Sequence, residues 1–338
     1  MQVHDLSGGA EVLARMEQVA RDSLAAFPVP DDATVSLLNV SENATYRVDV
    51  PDGSQRWILR VHRLAYHTPA AISSELAWLD ALRDEAGIRT PHVITAVDGR
   101  RVVSVPDPGG EPRSVVMFEF LPGTEPAEDS LVADFEGLGR ITARMHDHSR
   151  AWKRPAGFTR FAWDYDAAFG AEARWGRWQD GVGVGAAEHA LLTRLDQTLQ
   201  RRLAAFGTAS DRFGLIHADT RLANLLVDDG PDGRTVSVID FDDSGFSWFL
   251  YDLGTAVSFI EHYPQVPEMV DSWVRGYRQV RDLPAADEHE IWTFIMYRRL
   301  LLVAWIGSHG AVDIAQELGA GYTVGSCELA QKYLDEFG

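Results

Sequence analysis

Three oxygen-bearing side chains follow one another in the order a phosphoryl transfer would need. Asp219 lies in His217-Ala218-Asp219-Thr220-Arg221-Leu222-Ala223-Asn224, Asn224 closes that run, and Asp240 lies in Val238-Ile239-Asp240-Phe241-Asp242-Asp243. A hydroxyl attacking a terminal phosphate needs an acceptor that orients it and takes its proton, and Asp219 can serve. A magnesium–nucleotide needs hard oxygen ligands, usually only one or two from protein, with phosphate and water completing the shell. Asn224 and Asp240 would supply them. His217 is placed to hold the loop by hydrogen bonding.

The flanking residues say what must carry these groups. Leu215-Ile216 is apolar and delivers His217-x-Asp219 to a turn. Leu225-Leu226-Val227 is a second apolar run, residues 228–233 are dense in Asp, Gly and Pro, and Thr235-Val236-Ser237-Val238-Ile239 is β-branched. This predicts a hairpin with Asn224 on one arm and Asp240 returned beside it. Upstream, residues 10–27 read as an amphipathic helix closed by Pro28-Val29-Pro30. Alternating strands follow over 33–40, 44–50 and 55–62. Ile72, Leu76, Leu79 and Leu82 have helical spacing. Val115-Val116-Met117-Phe118-Glu119-Phe120-Leu121 reads as a buried strand broken by Pro122-Gly123, and residues 132–146 as a long helix. The aromatic span from Phe158 to Trp178 suits either an acceptor wall or plain core.

The ordered set resembles the catalytic loop and metal-binding Asp of the aminoglycoside phosphotransferase and choline kinase superfamily. Within it, the chain is most similar to the branch of homoserine-kinase-like enzymes and a bacterial stress-response kinase. The resemblance runs roughly from Val35 to the C-terminus. It implies an α+β, two-lobed protein-kinase-like fold: an N-lobe of antiparallel sheet with a helix (1–118) and a mainly α-helical C-lobe (119–338), hinged at about 117–123. It implies Mg2+ and ATP or GTP, with Ser41 and Asn43 in the turn over the phosphates. Arg60 stands where the family usually has lysine, and Glu75 would pair with it. This departure is real, yet arginine keeps its charge and grips phosphate in a fork. The backbone of Glu119, Phe120 and Leu121 would meet an adenine edge, and Asp252 would brace the catalytic loop.

Bulk properties fit a kinase of small hydroxylated molecules. The 338 residues are 46% hydrophobic with 10 Trp, enough for two lobes or one large domain, and the single cysteine, Cys327, cannot form an internal disulfide. No run of about 18 apolar residues is read as a membrane span, and the N-terminus lacks a signal-peptide pattern. A cytoplasmic enzyme is expected. A net charge of −19 argues against nucleic-acid or anionic-membrane partners and suits a cationic acceptor. Lys153 and Lys332 are the only lysines.

Other classes compete. A Ser/Thr protein kinase is disfavoured because the stretch from Asp240 to Asp252 leaves no room for a long activation segment. A haloacid-dehalogenase-type phosphatase would use Asp240 as nucleophile. It would need a downstream lysine that only Lys332 offers, and it leaves Asp219 and Asn224 unexplained. A nucleotide-binding pseudokinase stays open because of Arg60.

Overall fold

The structure is a computed structural model describing residues 10–40, 43–127, 130–230, 233–310 and 312–338. The chain divides into two units. The first holds the described residues up to Arg83, with Arg89–Pro122 and Arg154–Thr159; the second holds Asp84–Ile88, Gly123–Lys153 and Arg160–Gly338. The main passage between them falls at Pro122–Gly123, and two short segments are exchanged.

In the first unit, helix α1 (Ala10–Ser23) covers an antiparallel sheet of β1 (Thr34–Val40), β2 (Ala44–Asp49) and β3 (Arg56–Val61). The helix α2 (Pro69–Ala86) follows, and β4 (Val93–Ile94), β5 (Val103–Val105) and β6 (Arg113–Glu119) complete the sheet. The strand order is β1-β2-β3-β6-β4, with β5 also on β6. Helix α1 is shorter than its periodicity predicts: it ends at Ser23, and a 3-10 turn spans Leu24–Ala26. Pro28 pushes Phe27 out of the helical region, to φ −106° and ψ 157°.

Side chains alternate across this sheet. Ala44, Tyr46 and Val48 of β2, Leu59 and Val61 of β3, and Val115 and Met117 of β6 meet Val12, Met16 and Val19 of α1 in one core. The period of two sends Arg60, paired in register with Val116, to the opposite face. Helix α2 opens with Pro69 in its first turn, and the Thr68 hydroxyl accepts the Ala71 N–H at 3.2 Å.

The second unit is mostly helical. It contains α3 (Leu131–Ala151), α4 (Tyr165–Phe169) and α5 (Ala186–Phe206), then β7 (Phe213–Ile216), the hairpin β8 (Leu225–Gly230) and β9 (Gly233–Val238), and β10 (Gly245–Trp248). Helices α6 (Tyr251–Ala256), α7 (Val266–Arg278), α8 (Ala285–Glu288), α9 (Ile291–Ser308) and α10 (Asp313–Phe337) follow. Helices α3 and α7 approach closely because Gly139 and Gly276 carry no Cβ; one there would strike the Trp273 and Glu136 carbonyls.

One expectation fails. Among the described residues, Ala285–Ser308 is long and apolar enough to cross a membrane, contrary to the reading that no such run exists. Its most apolar window is 83% buried inside the protein. It escapes a simple apolar scan because Arg298 and Arg299 sit mid-helix, both buried. It is the core helix of this unit.

Candidate active site

Strand β7 pairs with β10 and delivers His217 at its end. Three residues then build a tight loop. Ala218 adopts φ +64°, a left-handed conformation costly for a residue with a Cβ. Its N–H donates to Asp252 Oδ1 at 2.7 Å, and the His217 N–H to Asp252 Oδ2 at 3.4 Å. The Thr220 hydroxyl donates to the Asp252 carbonyl at 2.6 Å, and the Thr220 N–H to Thr255 Oγ1 at 2.9 Å. The start of α6 thus clamps the loop and offsets its strain.

Asp252 is itself fully buried and bonded to His146 Nε2 at 2.9 Å; His146 Nδ1 meets the Tyr277 hydroxyl at 2.9 Å. Burial lowers the His146 pKa from its ordinary 6.5, against the pull of Asp252. The neutral ring donates from Nε2 to the carboxylate and accepts the Tyr277 O–H at Nδ1. The histidine in α3 is therefore a brace and not a metal ligand.

This sets a sign for stability against pH. With the folded pKa below the unfolded one, the contribution of neutral His146 is present above about pH 6.5 and is lost as pH falls. One extra proton bound on unfolding steepens the loss by up to about 1.4 kcal/mol per pH unit. Urea unfolding at pH 7 and pH 5 is expected to show a smaller loss for His146→Gln than for the parent; equal losses would refute this linkage.

His217 Nε2 donates to the Ile239 carbonyl at 3.1 Å, and its Nδ1 accepts the Asp219 N–H at 3.2 Å. The loop is thereby tied to the far arm of the hairpin. The Asp219 carboxylate, 13% exposed, receives Asn224 Nδ2 at 2.7 Å and Arg221 Nε at 3.2 Å on Oδ2. Asn224 Nδ2 also reaches the Asp219 carbonyl at 2.8 Å. Asp219 Oδ1 accepts Arg298 Nη2 at 2.8 Å.

The hairpin forms as its turn chemistry predicts. Leu225 pairs with Val238, and the Ile239 N–H donates to the Asn224 carbonyl at 3.0 Å. Asn224 and Asp240 therefore share the open end of one ribbon. Asp240 is exposed and holds φ +60°, a region Asp tolerates better than most residues. The following turn is pinned from behind. Buried Arg160 donates to the Ser244 carbonyl at 2.6 Å and to the Asp242 carbonyl, and Trp163 Nε1 donates to the Asp243 carbonyl at 2.8 Å. An amide oxygen with a carboxylate is the hard donor pair Mg2+ takes. Among the described residues no group of three or more His, Cys, Asp or Glu could hold a metal, so phosphate and water oxygens would have to fill the shell.

The first unit carries its own set. Arg60 Nη2 donates to Glu75 Oε1 at 2.6 Å; both side chains are buried, and the guanidinium lies 5.3 Å from the centre of the Phe118 ring. Asn43 Oδ1 accepts the Arg63 N–H at 3.0 Å, which closes the entry to β2. Ser41 lies outside the described residues. The Glu119 N–H is already committed to the His92 carbonyl at 2.8 Å. Half-buried Phe120 stacks under Arg56, 4.8 Å from the ring centre, and Leu121 is buried.

The aromatic span divides. Trp163, Trp175 and Trp178 are core, while Phe158, Phe161, Tyr165 and Phe169 are half-buried. Arg298, Arg160 and Tyr251 were invisible to spacing arguments. The one available signal for Arg298 was a charge in the middle of an apolar helix.

An antiparallel sheet backed by helices, a helical unit, and a clamped Asp followed by a metal-suited hairpin define a kinase-like phosphotransferase. The phosphotransferase enzyme family matches residues 34–289, and the chain belongs to it. It is a kinase of small molecules. The amicoumacin kinase of Bacillus subtilis (strain 168) is 28% identical over 298 residues, 85% of this chain and 83% of that protein. A microcompartment-associated aminopropanol kinase is 54% identical in a solved structure, covering 95% of this chain and 98% of that one, with a TM-score of 0.88. The amicoumacin kinase hAmiN, solved with AMP-PNP, Ca2+ and Ami, shares the fold at 23% identity and a TM-score of 0.76, covering 97% and 96% of the two chains.

Proposed function

We propose that this enzyme moves the terminal phosphate of a magnesium nucleotide, ATP or GTP, to the hydroxyl of a short amino alcohol. The observation that carries the acceptor class is the 54% identity to an aminopropanol kinase across nearly the whole chain. The net charge of −19 suits a cationic acceptor. Nothing favours a protein acceptor.

In this reading Asp219 orients the acceptor hydroxyl and takes its proton as the oxygen–phosphorus bond forms and the bond to the leaving nucleoside diphosphate breaks. Asn224 and Asp240 would hold Mg2+, which would spread the charge of the phosphates. Arg60, fixed by Glu75, meets the inner phosphates. Ser41 and Asn43 cover them, and the backbone of Glu119, Phe120 and Leu121 meets the base. Phosphoryl transfer gains chiefly from position and charge stabilisation. We assign its work to the cytoplasm, where nucleotide and Mg2+ would be supplied.

The test is release of ADP or GDP from Mg-ATP and Mg-GTP against 1-amino-2-propanol, ethanolamine, homoserine, choline, amicoumacin, aminoglycosides and a serine-containing protein. Highest kcat/KM on a two- or three-carbon amino alcohol is expected. Turnover confined to an antibiotic or to the protein would overturn the acceptor class.

A further inference from the structure

Helix α9 carries two adjacent arginines, and their surroundings differ. Arg299 is absorbed in an internal network: Nη1 to Glu261 Oε2 at 2.5 Å, Nε to Ser326 Oγ at 2.7 Å, and Glu261 Oε1 accepting the Tyr322 hydroxyl at 3.0 Å. Arg298 is equally buried but faces the other way. Its Nη1 donates to the Tyr251 hydroxyl at 3.1 Å, its Nε to Ser258 Oγ at 3.0 Å, and its Nη2 to Asp219 Oδ1 at 2.8 Å. The guanidinium lies 5.2 Å from the centre of the Trp175 ring.

Burying a guanidinium is expensive, and a helix of this kind would be served as well by an apolar side chain. Here the cost is met by three hydrogen bonds, and the carboxylate that Arg298 pairs with is Asp219, met through a single oxygen. The contact is end-on and not a two-toothed fork, so Oδ2 stays with Asn224 and Arg221. Such a contact stops rotation of the carboxylate without covering both oxygens. It also sets a buried counter-ion beside the carboxylate, opposite the more exposed Arg221.

We propose that Arg298 is a positioning residue for Asp219 with a second effect on acceptor orientation. A short amino alcohol carries an ammonium two carbons from its hydroxyl, and a naked carboxylate would draw the ammonium first. With Arg298 as fixed counter-ion, Asp219 attracts a second cation weakly and still accepts a neutral O–H. The acceptor therefore binds hydroxyl-first at Asp219, and its ammonium is held elsewhere. This orientation effect rests on the amino alcohol reading; the positioning effect does not.

The test compares Arg298→Met, Arg298→Lys and Tyr251→Phe for kcat, nucleotide affinity, and inhibition by propylamine, which has an ammonium and no hydroxyl. Arg298→Met is expected to lower kcat on the order of 100-fold, as a displaced catalytic group does, with nucleotide affinity kept and propylamine inhibiting more tightly. Arg298→Lys, which keeps the charge but not the three directed nitrogens that hold Tyr251, Ser258 and Asp219 together, should restore weak propylamine inhibition and only part of kcat. Tyr251→Phe frees one guanidinium nitrogen and should shift both readouts slightly, which keeps the comparison open if Arg298→Met fails to fold. Unchanged kcat and unchanged propylamine inhibition would overturn the proposal. So would joint loss of nucleotide affinity and thermal stability with propylamine inhibition unmoved, since that marks a packing residue. If the parent prefers an acceptor without an amine, the amino alcohol reading fails alone. The kcat of the variants on that acceptor then judges the positioning role.

Discussion

Replacing Asp219 by alanine is expected to remove nearly all turnover while the nucleotide still binds with its metal. A positioned acceptor of the hydroxyl proton contributes roughly 10²–10⁴-fold, and Asp219 is the only carboxylate on the clamped loop 217–224. The alanine variant has a second consequence. It strips Arg298 of its anion and leaves a buried guanidinium with Tyr251 and Ser258 alone, a change that costs about 3–5 kcal/mol when a buried pair is broken. The drop in thermal stability should therefore accompany the loss of rate. Asp219→Asn separates the two, because it keeps the shape and an oxygen for Arg298 while removing the base. Single-turnover phosphorylation and nucleotide titration on both variants give the result. Undiminished kcat in either would end the assignment of Asp219.

Asp240→Ala should act on binding and not on the proton. Asp240 stands at the open end of the ribbon beside Asn224, exposed and in a backbone conformation that turns it away from the strand. Without it the proposed metal site would keep one protein ligand, Asn224. A ligand at a hundred times its Kd stabilises the folded state by about 2.7 kcal/mol. We expect that shift for the parent with Mg-ATP and essentially none for Asp240→Ala, while ATP with chelator affects both alike. The variant's own unfolding should weaken by only about 1 kcal/mol, since no core packing is lost and alanine merely tolerates the left-handed backbone at this position less well than Asp. Unchanged Mg-ATP stabilisation would remove Asp240 from the metal site.

The sequence by itself determined the local devices. The turn residues between Val227 and Thr235 dictate a hairpin, and a hairpin dictates that Asn224 and Asp240 end up side by side. The period of two in β3 dictates that Arg60 leaves the face that Leu59 and Val61 give to the core. Both follow from spacing within one or two elements, where geometry is fixed by backbone periodicity. Spacing was also enough to place α2 and β6, but not to end α1 at Ser23, where Pro28 prevailed over apolar periodicity.

Only the tertiary structure decided which buried charge serves which neighbour. Arg298 reaches Asp219 across 79 residues, His146 reaches Asp252 across 106, and Arg160 reaches the Asp242 carbonyl across 82. In the sequence these are an arginine in an apolar helix, a histidine on a supporting helix, and an arginine in an aromatic stretch. A buried polar group must find a partner, but its sequence position does not say which. Partner choice follows from how α3, α6 and α9 pack around the catalytic loop, and that is a property of the whole second unit.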